Sequence, residues 1–294
     1  MTYLLIMKIG FIGTGLMGEP MVTKILEADW EAIAYNRTKS KLEPLKKAGA
    51  EIAESPAEVI KNSDCVILML SDAPTIQSVV LSETAKKELS NRTIISMATI
   101  APEESKAIKN EVEAAGGEYL EAPVLGSIPQ VKSGSLIVMV GATPEQFDRY
   151  LSLFKIFSPE PLLIGEVGTA AALKLAMNQL IGSLTTAFSL SLGLIMRHGI
   201  DIETFMKIVR ESALYAPTFD KKLERMVERN FANPNFPTKH LLKDTKLFIN
   251  AAESVGLDIS LQEGVRRVLE KAIELGLTDE DYSSLFSAVN PEER

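Results

Sequence analysis

Cysteine and histidine are scarce in this sequence: Cys65, His198 and His240 are the only ones among 294 residues. One cysteine cannot form an internal disulfide, and a zinc site of cysteines and histidines would need all three residues and a further ligand. We therefore expect no disulfide and no metal site, and we interpret these three residues as structural. The chemistry must depend on other side chains or on a bound cofactor.

Positive charge is also in deficit, with 31 lysines and arginines against 39 acidic residues and a formal net charge of −8. Nucleic acids and anionic membranes are bound through an excess of basic charge, so we expect neither as a partner. The first residues, Met1–Ile6, carry no basic leader and no cleavage site, and Met7 offers an alternative start. We expect no signal peptide and a cytoplasmic location.

One apolar segment, Leu175–Met196, is uncharged over 22 residues and is long enough to span a bilayer. It contains polar residues such as Asn178, Gln179 and Ser183, and it follows Lys174 directly. We interpret it as a long helix buried between protein surfaces.

The first half of the chain alternates short apolar runs with helical patterns. The runs that predict strands are Lys8–Gly13, Ala32–Tyr35, Cys65–Leu70, Thr93–Ser96, Tyr119–Pro123, Leu136–Gly141 and Leu162–Ile164. Strands that alternate with helices indicate βαβ units and a mainly parallel sheet. After Gly168 only helical patterns remain. We predict an α/β protein with an N-terminal Rossmann-type, doubly wound domain (residues 1–165) and an all-α C-terminal domain (residues 166–294) joined by a long helix.

A glycine-rich loop follows the first predicted strand and opens a helix. Its residues are Gly13, Thr14, Gly15, Leu16, Met17 and Gly18. Glycines permit a tight turn and the close approach of a pyrophosphate, and the helix N-terminus favours negative charge. Because strand, loop and helix occur in the required order, we predict dinucleotide binding here. A glycine-rich turn without a ligand is the alternative.

The end of the second predicted strand bears on which dinucleotide is bound. NAD sites usually carry an acidic residue there, which holds the ribose hydroxyls. This chain instead has Asn36, Arg37 and Thr38, and an arginine can bind the 2′-phosphate of NADP. We predict NADP(H) as the cofactor, with Arg37 as the main determinant. An ordinary solvated turn is the alternative.

Lys174 lies near the start of the long apolar helix, and Asn178 follows four residues later on the same helix face. A lysine in apolar surroundings is costly unless it is paired or functional. Its ammonium group can donate a proton to a carbonyl oxygen while a cofactor delivers hydride to the carbon. The alternative is a lysine that extends its charged end to solvent at a helix end.

Four motifs together resemble the β-hydroxyacid dehydrogenase family, which includes 3-hydroxyisobutyrate dehydrogenases and glyoxylate/succinic semialdehyde reductases. The motifs are Gly10–Gly18, Glu121–Ser127, Gly168 with Lys174 and Asn178, and Phe236–Asp244. The resemblance covers nearly the whole chain. It implies a Rossmann domain joined to a helical domain, an NADP(H) cofactor and a small carbonyl acid or hydroxyacid as substrate. It also implies a homodimer or homotetramer, which would bury the apolar helix.

The resemblance also implies roles for individual residues. Lys174 would be the catalytic acid/base, and Asn178 would orient the substrate beside it. Thr99 would lie near both substrate and nicotinamide. The remaining residues implied at the substrate are Pro123, Val124, Leu125, Gly126, Ser127, Phe236 and Asp244. Leu70, Ser71 and Lys243 would lie at the cofactor, and the Pro123–Ser127 loop would bind the substrate carboxylate through backbone donors.

Two departures from the family pattern affect the choice of substrate. Leu125 replaces the usual serine of the substrate loop, so one side-chain hydrogen bond to the carboxylate is missing. Ser96 and Ala98 also stand where aspartate and serine are usual. Two other functions remain open: an imine reductase of the same architecture, against which Lys174 and Asp244 argue, and a non-catalytic NADPH-binding regulatory protein.

Overall fold

A computed structural model describes residues 7–292 and divides the chain into two compact units at Lys174/Leu175. The expectation about a leader in Met1–Ile6 falls outside the described residues. The N-terminal unit is an α/β unit, and the C-terminal unit is helical. The predicted fold class is confirmed.

The N-terminal unit is built on one sheet. Its strands are β1 (Ile9–Ile12), β2 (Ala32–Tyr35), β3 (Glu51–Ile52), β4 (Cys65–Leu68), β5 (Thr93–Ser96), β6 (Glu118–Glu121), β7 (Val124–Leu125), β8 (Ile137–Gly141) and β9 (Leu162–Gly165). The strand order is β3-β2-β1-β4-β5-β6-β8-β7, with β9 also paired to β8. The pairs from β3 to β6 are parallel, whereas β8 runs antiparallel to β6 and β7. The sheet is therefore doubly wound, with an antiparallel addition after β6.

The central strands are buried on both faces because helices cover both sides of the sheet. In β1, Phe11 packs into one apolar cluster and Ile12 into the other, and in β4 Ile67 and Leu68 divide in the same way. Alternate residues of a strand point to opposite faces, so each strand supplies both cores. This accounts for the continuous apolar runs in the sequence.

Eight α-helices are described in the N-terminal unit before the long helix. They are α1 (Gly18–Glu27), α2 (Glu43–Lys47), α3 (Pro56–Lys61), α4 (Ala73–Val80), α5 (Glu83–Lys86), α6 (Pro102–Ala114), α7 (Ile128–Ser133) and α8 (Pro144–Phe154). Ser55, Asp72 and Thr143 cap the N-termini of α3, α4 and α8 by accepting backbone hydrogen bonds. These caps and a proline in the first turn explain where the helices begin.

The helical unit follows the long helix α9 (Thr169–Arg197), which begins in the N-terminal unit. Its other helices are α10 (Ile202–Glu211), α11 (Pro217–Val227), α12 (Thr238–Ser254), α13 (Ser260–Glu274) and α14 (Leu285–Val289). Helix α9 is long and apolar enough to cross a membrane by length and composition, a test that core helices of soluble proteins also pass. Of the most apolar 18-residue stretch of this helix, 44% is buried. Residues such as Phe188 and Leu192 pack into the helical core.

Candidate active site

The glycine loop lies at the point where the strand order of the sheet reverses. Strand β1 pairs with both β2 and β4, so connections leave β1 and β4 towards opposite sides of the sheet. In doubly wound sheets, ligands bind in the crevice beyond the carboxyl ends of the strands at this position. The fold thus places the Gly13–Gly18 loop where a dinucleotide would be expected.

The three glycines of this loop, Gly13, Gly15 and Gly18, differ in what surrounds them. A Cβ atom on Gly13 would lie 2.3 Å from the carbonyl oxygen of Met69, and one on Gly18 would lie 2.0 Å from that of Gly13. Those two glycines are required by the protein's own backbone. A Cβ on Gly15 would meet nothing within 4 Å. Gly15 therefore leaves open space beside the backbone, as the close approach of a ligand requires.

Thr14 supplies a second indication of a ligand. Its Oγ1 atom is buried and has no hydrogen-bond partner among residues 7–292. Helix α1 also begins without a side-chain cap, so its N-terminus can receive an anion. Leu16 is exposed and Met17 is half-buried against the core. These features fit the pyrophosphate of a dinucleotide.

Asn36 links the glycine loop to the turn after β2. Its Oδ1 atom accepts a hydrogen bond from the backbone N–H of Thr14 at 3.1 Å, and its Nδ2 atom donates to the carbonyl of Thr38 at 3.1 Å. Asn36 therefore holds two predicted cofactor segments together. Sequence reasoning placed Asn36 at the cofactor but did not identify this role.

Arg37 is exposed in the same turn and forms no ion pair within the described part of the chain. A cavity of about 170 Å³ adjoins it. The lining includes three cationic side chains, those of Arg37, Lys39 and Lys46, together with the acidic Glu43 and Glu54. Lys39 pairs with Glu54 at 2.5 Å, and both side chains are exposed, so the pair is weak and easily opened. Lys39 and Lys46 could therefore join Arg37 in binding a phosphate.

The remaining predicted residues of the N-terminal unit lie after its strands. Leu70 packs against the glycine loop, since a Cβ on Gly13 would lie 3.0 Å from Leu70 Cδ2. Ser71 donates to Asp72 Oδ2 at 2.8 Å at the start of α4. Thr99 is half-buried after β5. All three follow the carboxyl ends of parallel strands, which share one edge of the sheet.

The segment Pro123–Ser127 differs from the predicted loop. Val124 and Leu125 form strand β7, which pairs with Val138 and Ile137 of β8. The strand forms because Val124 can bury its side chain while the backbone pairs along β8. Leu125 is half-buried, and Gly126 connects β7 to Ser127.

The hydrogen-bonding groups of Ser127 are also used within the protein. Its backbone N–H and its hydroxyl both donate to Gln130 Oε1, at 2.9 and 2.8 Å, and so start helix α7. The Ser127 N–H is therefore not a free backbone donor for a carboxylate. The other members of the segment stay predicted substrate residues.

Lys174 is half-buried in the second turn of α9 and makes contacts within the protein. Asn178 and Asp244 belong to the helical unit. Asn178 Nδ2 donates to Asp244 Oδ2 at 2.6 Å, and Lys243 Nζ lies 2.9 Å from Asp244 Oδ1. Three predicted residues thus form one chain of contacts. Asn178 Oδ1 has no hydrogen-bond partner among the described residues and remains available as an acceptor.

Phe236 joins a separate aromatic group. Its ring stacks on that of His240 with centroids 6.4 Å apart and meets the ring of Tyr282 edge-on at 5.9 Å. Burial, followed by the charges of Lys243 and Lys239, lowers the pKa of His240. His240 is therefore neutral at pH 7, in line with a packing role.

Two buried acidic side chains, one in each unit, were given no role by the sequence analysis. Asp281 is fully buried and accepts from Lys222 Nζ at 2.7 and 2.9 Å, while the same ammonium lies 4.3 Å from the Tyr282 ring centroid. Glu121 is 2% exposed at the end of β6. Glu121 stands between two apolar residues, whereas Asp281 ends an acidic run that is typical of a solvated segment, so nothing in the sequence indicates its burial.

Comparison with known proteins agrees with this architecture. Residues 8–165 match the family model for the NAD-binding domain of 6-phosphogluconate dehydrogenase. Residues 168–289 match the model described as NAD-binding of NADP-dependent 3-hydroxyisobutyrate dehydrogenase. The two matches together cover nearly the whole described chain.

Individual relatives and structures give the same result. The chain is 32% identical over 285 residues to glyoxylate/succinic semialdehyde reductase 1 of Arabidopsis thaliana, covering 96% of this chain and 98% of the relative. The structure of Mycobacterium tuberculosis 3-hydroxyisobutyrate dehydrogenase with L-serine superposes with a TM-score of 0.88 at 18% identity, covering 97% and 99% of the two chains. An imine reductase from Myxococcus stipitatus in complex with NADP⁺ has a TM-score of 0.66 at 19% identity, covering 95% and 98%. The two structures show the fold, and the family matches and the plant relative show that this chain belongs to the β-hydroxyacid dehydrogenase family of NAD(P)-dependent oxidoreductases.

Proposed function

We propose that the protein is an NADP(H)-dependent reductase of small aldehyde or keto acids, of the glyoxylate, succinic semialdehyde or methylmalonate semialdehyde type. The observation that carries the proposal is the position of Asn178. Its side chain is held by Asp244 and keeps an unpartnered, buried Oδ1 atom four residues after Lys174 on one helix. An acceptor fixed one helical turn after a lysine is suited to orienting a hydroxyl or carbonyl substrate.

Lys174 acts as the general acid in this proposal. When bound, the nicotinamide supplies hydride to the carbonyl carbon of the substrate. Lys174 Nζ donates a proton to the carbonyl oxygen, and in the reverse direction it removes the proton of the alcohol. Asn178 orients the substrate, while Asp244 fixes the Asn178 amide by accepting its Nδ2–H.

The cofactor preference in this proposal depends on Arg37. Its guanidinium has no ion pair within residues 7–292 and stands beside the 170 Å³ cavity, where a 2′-phosphate would neutralise it. No acidic residue stands at positions 36–38 to hold the ribose hydroxyls of NAD. These features favour NADP(H) over NAD(H).

The substrate carboxylate is assigned to the segment Pro123–Ser127 with Thr99 nearby. Leu125 offers no hydroxyl, and the Ser127 N–H is bonded to Gln130. The segment therefore offers fewer donors than a serine-containing loop would. Loss of one such partner costs on the order of 1–3 kcal/mol, which favours a substrate with a less polar group at Leu125.

Consumption of NADPH with a panel of carbonyl acids tests the proposal. The panel contains glyoxylate, succinic semialdehyde, methylmalonate semialdehyde, tartronate semialdehyde and cyclic imines. We expect turnover with an aldehyde acid, and we expect Lys174→Ala to lower kcat on the order of 100- to 10,000-fold with little change in NADPH affinity. Faster turnover of imines would support an imine reductase. NADPH binding without any turnover would support a regulatory protein.

We also propose that the protein is a homodimer or homotetramer. Helix α9 keeps Leu180, Leu184, Leu190 and Leu194 exposed in the single chain, and the last two are 59% and 60% exposed. An apolar row of this kind on a soluble protein favours a partner surface. Light scattering of the purified protein tests this, and a monomer at micromolar concentration would overturn it.

A further inference from the structure

The carboxylate of Glu121 is bonded to the start of the helix that carries Lys174. Its Oε1 atom accepts hydrogen bonds from the backbone N–H groups of Gly168, at 2.8 Å, and Ala171, at 3.0 Å. Its Oε2 atom accepts from the Ser105 hydroxyl. All of these residues belong to the N-terminal unit and are buried. One side chain thus connects the end of β6 to the first turn of α9.

The neighbouring strand is shaped to admit this carboxylate. Gly141 of β8 pairs with Glu121 in the sheet, and a Cβ on Gly141 would lie 2.5 Å from Glu121 Oε1 and 2.7 Å from Cγ. Any side chain at position 141 would therefore displace the carboxylate. The room for Glu121 exists only because this position is glycine.

The first turn of a helix leaves backbone N–H groups without partners inside the helix. A side chain just before the helix usually accepts from them, but Gly168 has none. Glu121 takes over this role from a strand that lies 47 residues earlier in the chain than Gly168.

The hydrogen bonds that Glu121 accepts lie close to Lys174 along the helix. Lys174 follows Ala171 by three residues, so less than one helical turn separates it from the bonded amide. The rotation and height of that turn determine where the Lys174 side chain leaves the helix. Burial raises the pKa of the Glu121 carboxyl, while hydrogen bonds from Ser105 and the helix backbone oppose this. Glu121 is therefore retained at a buried position despite a desolvation cost.

We propose that Glu121 is a positioning residue for Lys174, holding the first turn of α9 against the end of β6 so that the lysine points at the reacting oxygen. The inference rests on the proposed role of Lys174 as the proton donor. The action of Glu121 is geometric: its reach and its accepting atom matter, and its charge does not.

Two conservative substitutions separate reach from charge. Glu121→Gln keeps an oxygen that can accept from Gly168 and Ala171, and its Nε2 can donate to Ser105. Glu121→Asp keeps the charge but shortens the side chain by one methylene, so it cannot reach both amides. We expect Glu121→Asp to lower kcat on the order of 100-fold, as an ångström-scale misplacement can. We expect Glu121→Gln to stay within about 3-fold of wild type, well below that misplacement effect. KM and NADPH affinity should change little in both.

A matched control removes another hydroxyl of the same network. Tyr119 Oη lies 3.0 Å from Ser105 Oγ but makes no bond to α9 in the described structure. Tyr119→Phe should therefore leave kcat unchanged. If Glu121→Asp retained kcat, the positioning role would be wrong. If Glu121→Gln lost as much kcat as Glu121→Asp, the role would depend on charge and the geometric account would be wrong.

Amide hydrogen exchange gives a readout that does not depend on activity. Glu121→Asp should speed exchange in a peptide covering residues 166–175 and leave one covering residues 190–197 unchanged. Unchanged exchange in both peptides would overturn the inference. Lys174→Ala separates the two proposals. If Lys174→Ala keeps its turnover, the proposed function is wrong. If Lys174→Ala is inactive but Glu121→Asp is fully active, only the proposed role of Glu121 is wrong.

Discussion

Asn178 and Asp244 are joined by a buried hydrogen bond, in which Asn178 Nδ2 donates to Asp244 Oδ2 over 2.6 Å and each residue is 2% exposed. The bond fixes the rotation of the amide and so determines where the second amide atom, Oδ1, points. Asp244 Oδ1 in turn lies 2.9 Å from the Lys243 ammonium.

A double-mutant cycle at this pair should show strong coupling. Asn178→Ala and Asp244→Ala should each lower kcat/KM roughly 10- to 100-fold, because each leaves a buried polar partner unsatisfied. The double variant should be little worse than either single one, since both remove the same interaction. Steady-state kinetics of the four proteins with the best aldehyde acid measures this. Additive effects would mean that Asp244 does not act through Asn178.

Arg37→Ala should convert an NADPH-preferring enzyme into one with little preference. Charge-assisted hydrogen bonds contribute about 1.5–3 kcal/mol, so kcat/KM for NADPH should fall roughly 10- to 100-fold, with little change for NADH. Arg149→Ala is the control, because Arg149 is an exposed arginine of the same unit paired with Glu118. An equal loss with both cofactors would exclude recognition of the 2′-phosphate by Arg37.

Two glycines of the same loop should respond oppositely to alanine. Gly15→Ala adds a methyl to open space, so stability without cofactor should equal that of wild type or slightly exceed it, while NADPH binding weakens. Gly18→Ala places a methyl 2.0 Å from the Gly13 carbonyl oxygen and should cost about 1–3 kcal/mol of stability. Urea unfolding and fluorescence titration with NADPH measure the two quantities. Unchanged NADPH affinity in Gly15→Ala would remove the argument for a ligand at that position.

The Lys222–Asp281 pair should be important for the stability of the helical unit. Lys222→Ala leaves a fully buried carboxylate without its cation, and breaking a buried pair in this way costs about 3–5 kcal/mol. The matched control is Lys239→Ala, which breaks the exposed Lys239–Asp279 pair and should cost no more than about 1 kcal/mol. Urea unfolding of both variants tests the difference. Similar small losses would show that water reaches Asp281 when Lys222 is removed.

His240 should make the protein less stable in mild acid. Because burial lowers its pKa in the folded protein, the imidazolium form is disfavoured there relative to the unfolded chain. This contribution is fully present above the ordinary value of 6.5 and is lost as pH falls through the lowered folded pKa. In His240→Asn, the free energy of unfolding should fall less than in wild type below pH 6.5. A pH-independent difference between the two proteins would contradict this.

The sequence was sufficient to predict the sheet because its central strands are buried on both faces. Cys65–Leu68 is a continuous apolar run, and the first three residues of Thr93–Ser96 are β-branched; every residue of both strands is buried. Strand β3 was missed because it has two residues, of which Glu51 is exposed, and it pairs only at the sheet edge. The start of helix α7 does carry a local signal, because Ser127 and Gln130 form a capping pattern.

The candidate site was predictable only where its chemistry is local. The glycine loop and the turn that contains Arg37 are short segments, and the order and spacing of their residues are enough to indicate a cofactor site. Glu121 and Asp244 are hydrogen-bonded to residues 47 and 66 positions away, and no pattern within one segment indicates such a partner. Residues such as these become visible when the fold brings the segments together.

Asn36 has a consequence for the thermodynamics of cofactor binding. Its amide already ties the Thr14 N–H of the glycine loop to the Thr38 carbonyl of the β2 turn without a ligand. Both segments are thus restrained before a dinucleotide arrives, and little conformational entropy remains to be lost when it binds. The affinity can then reflect the phosphate contacts themselves, and in the proposed NADP(H) site the extra phosphate would add to the affinity without a further cost of ordering these two segments.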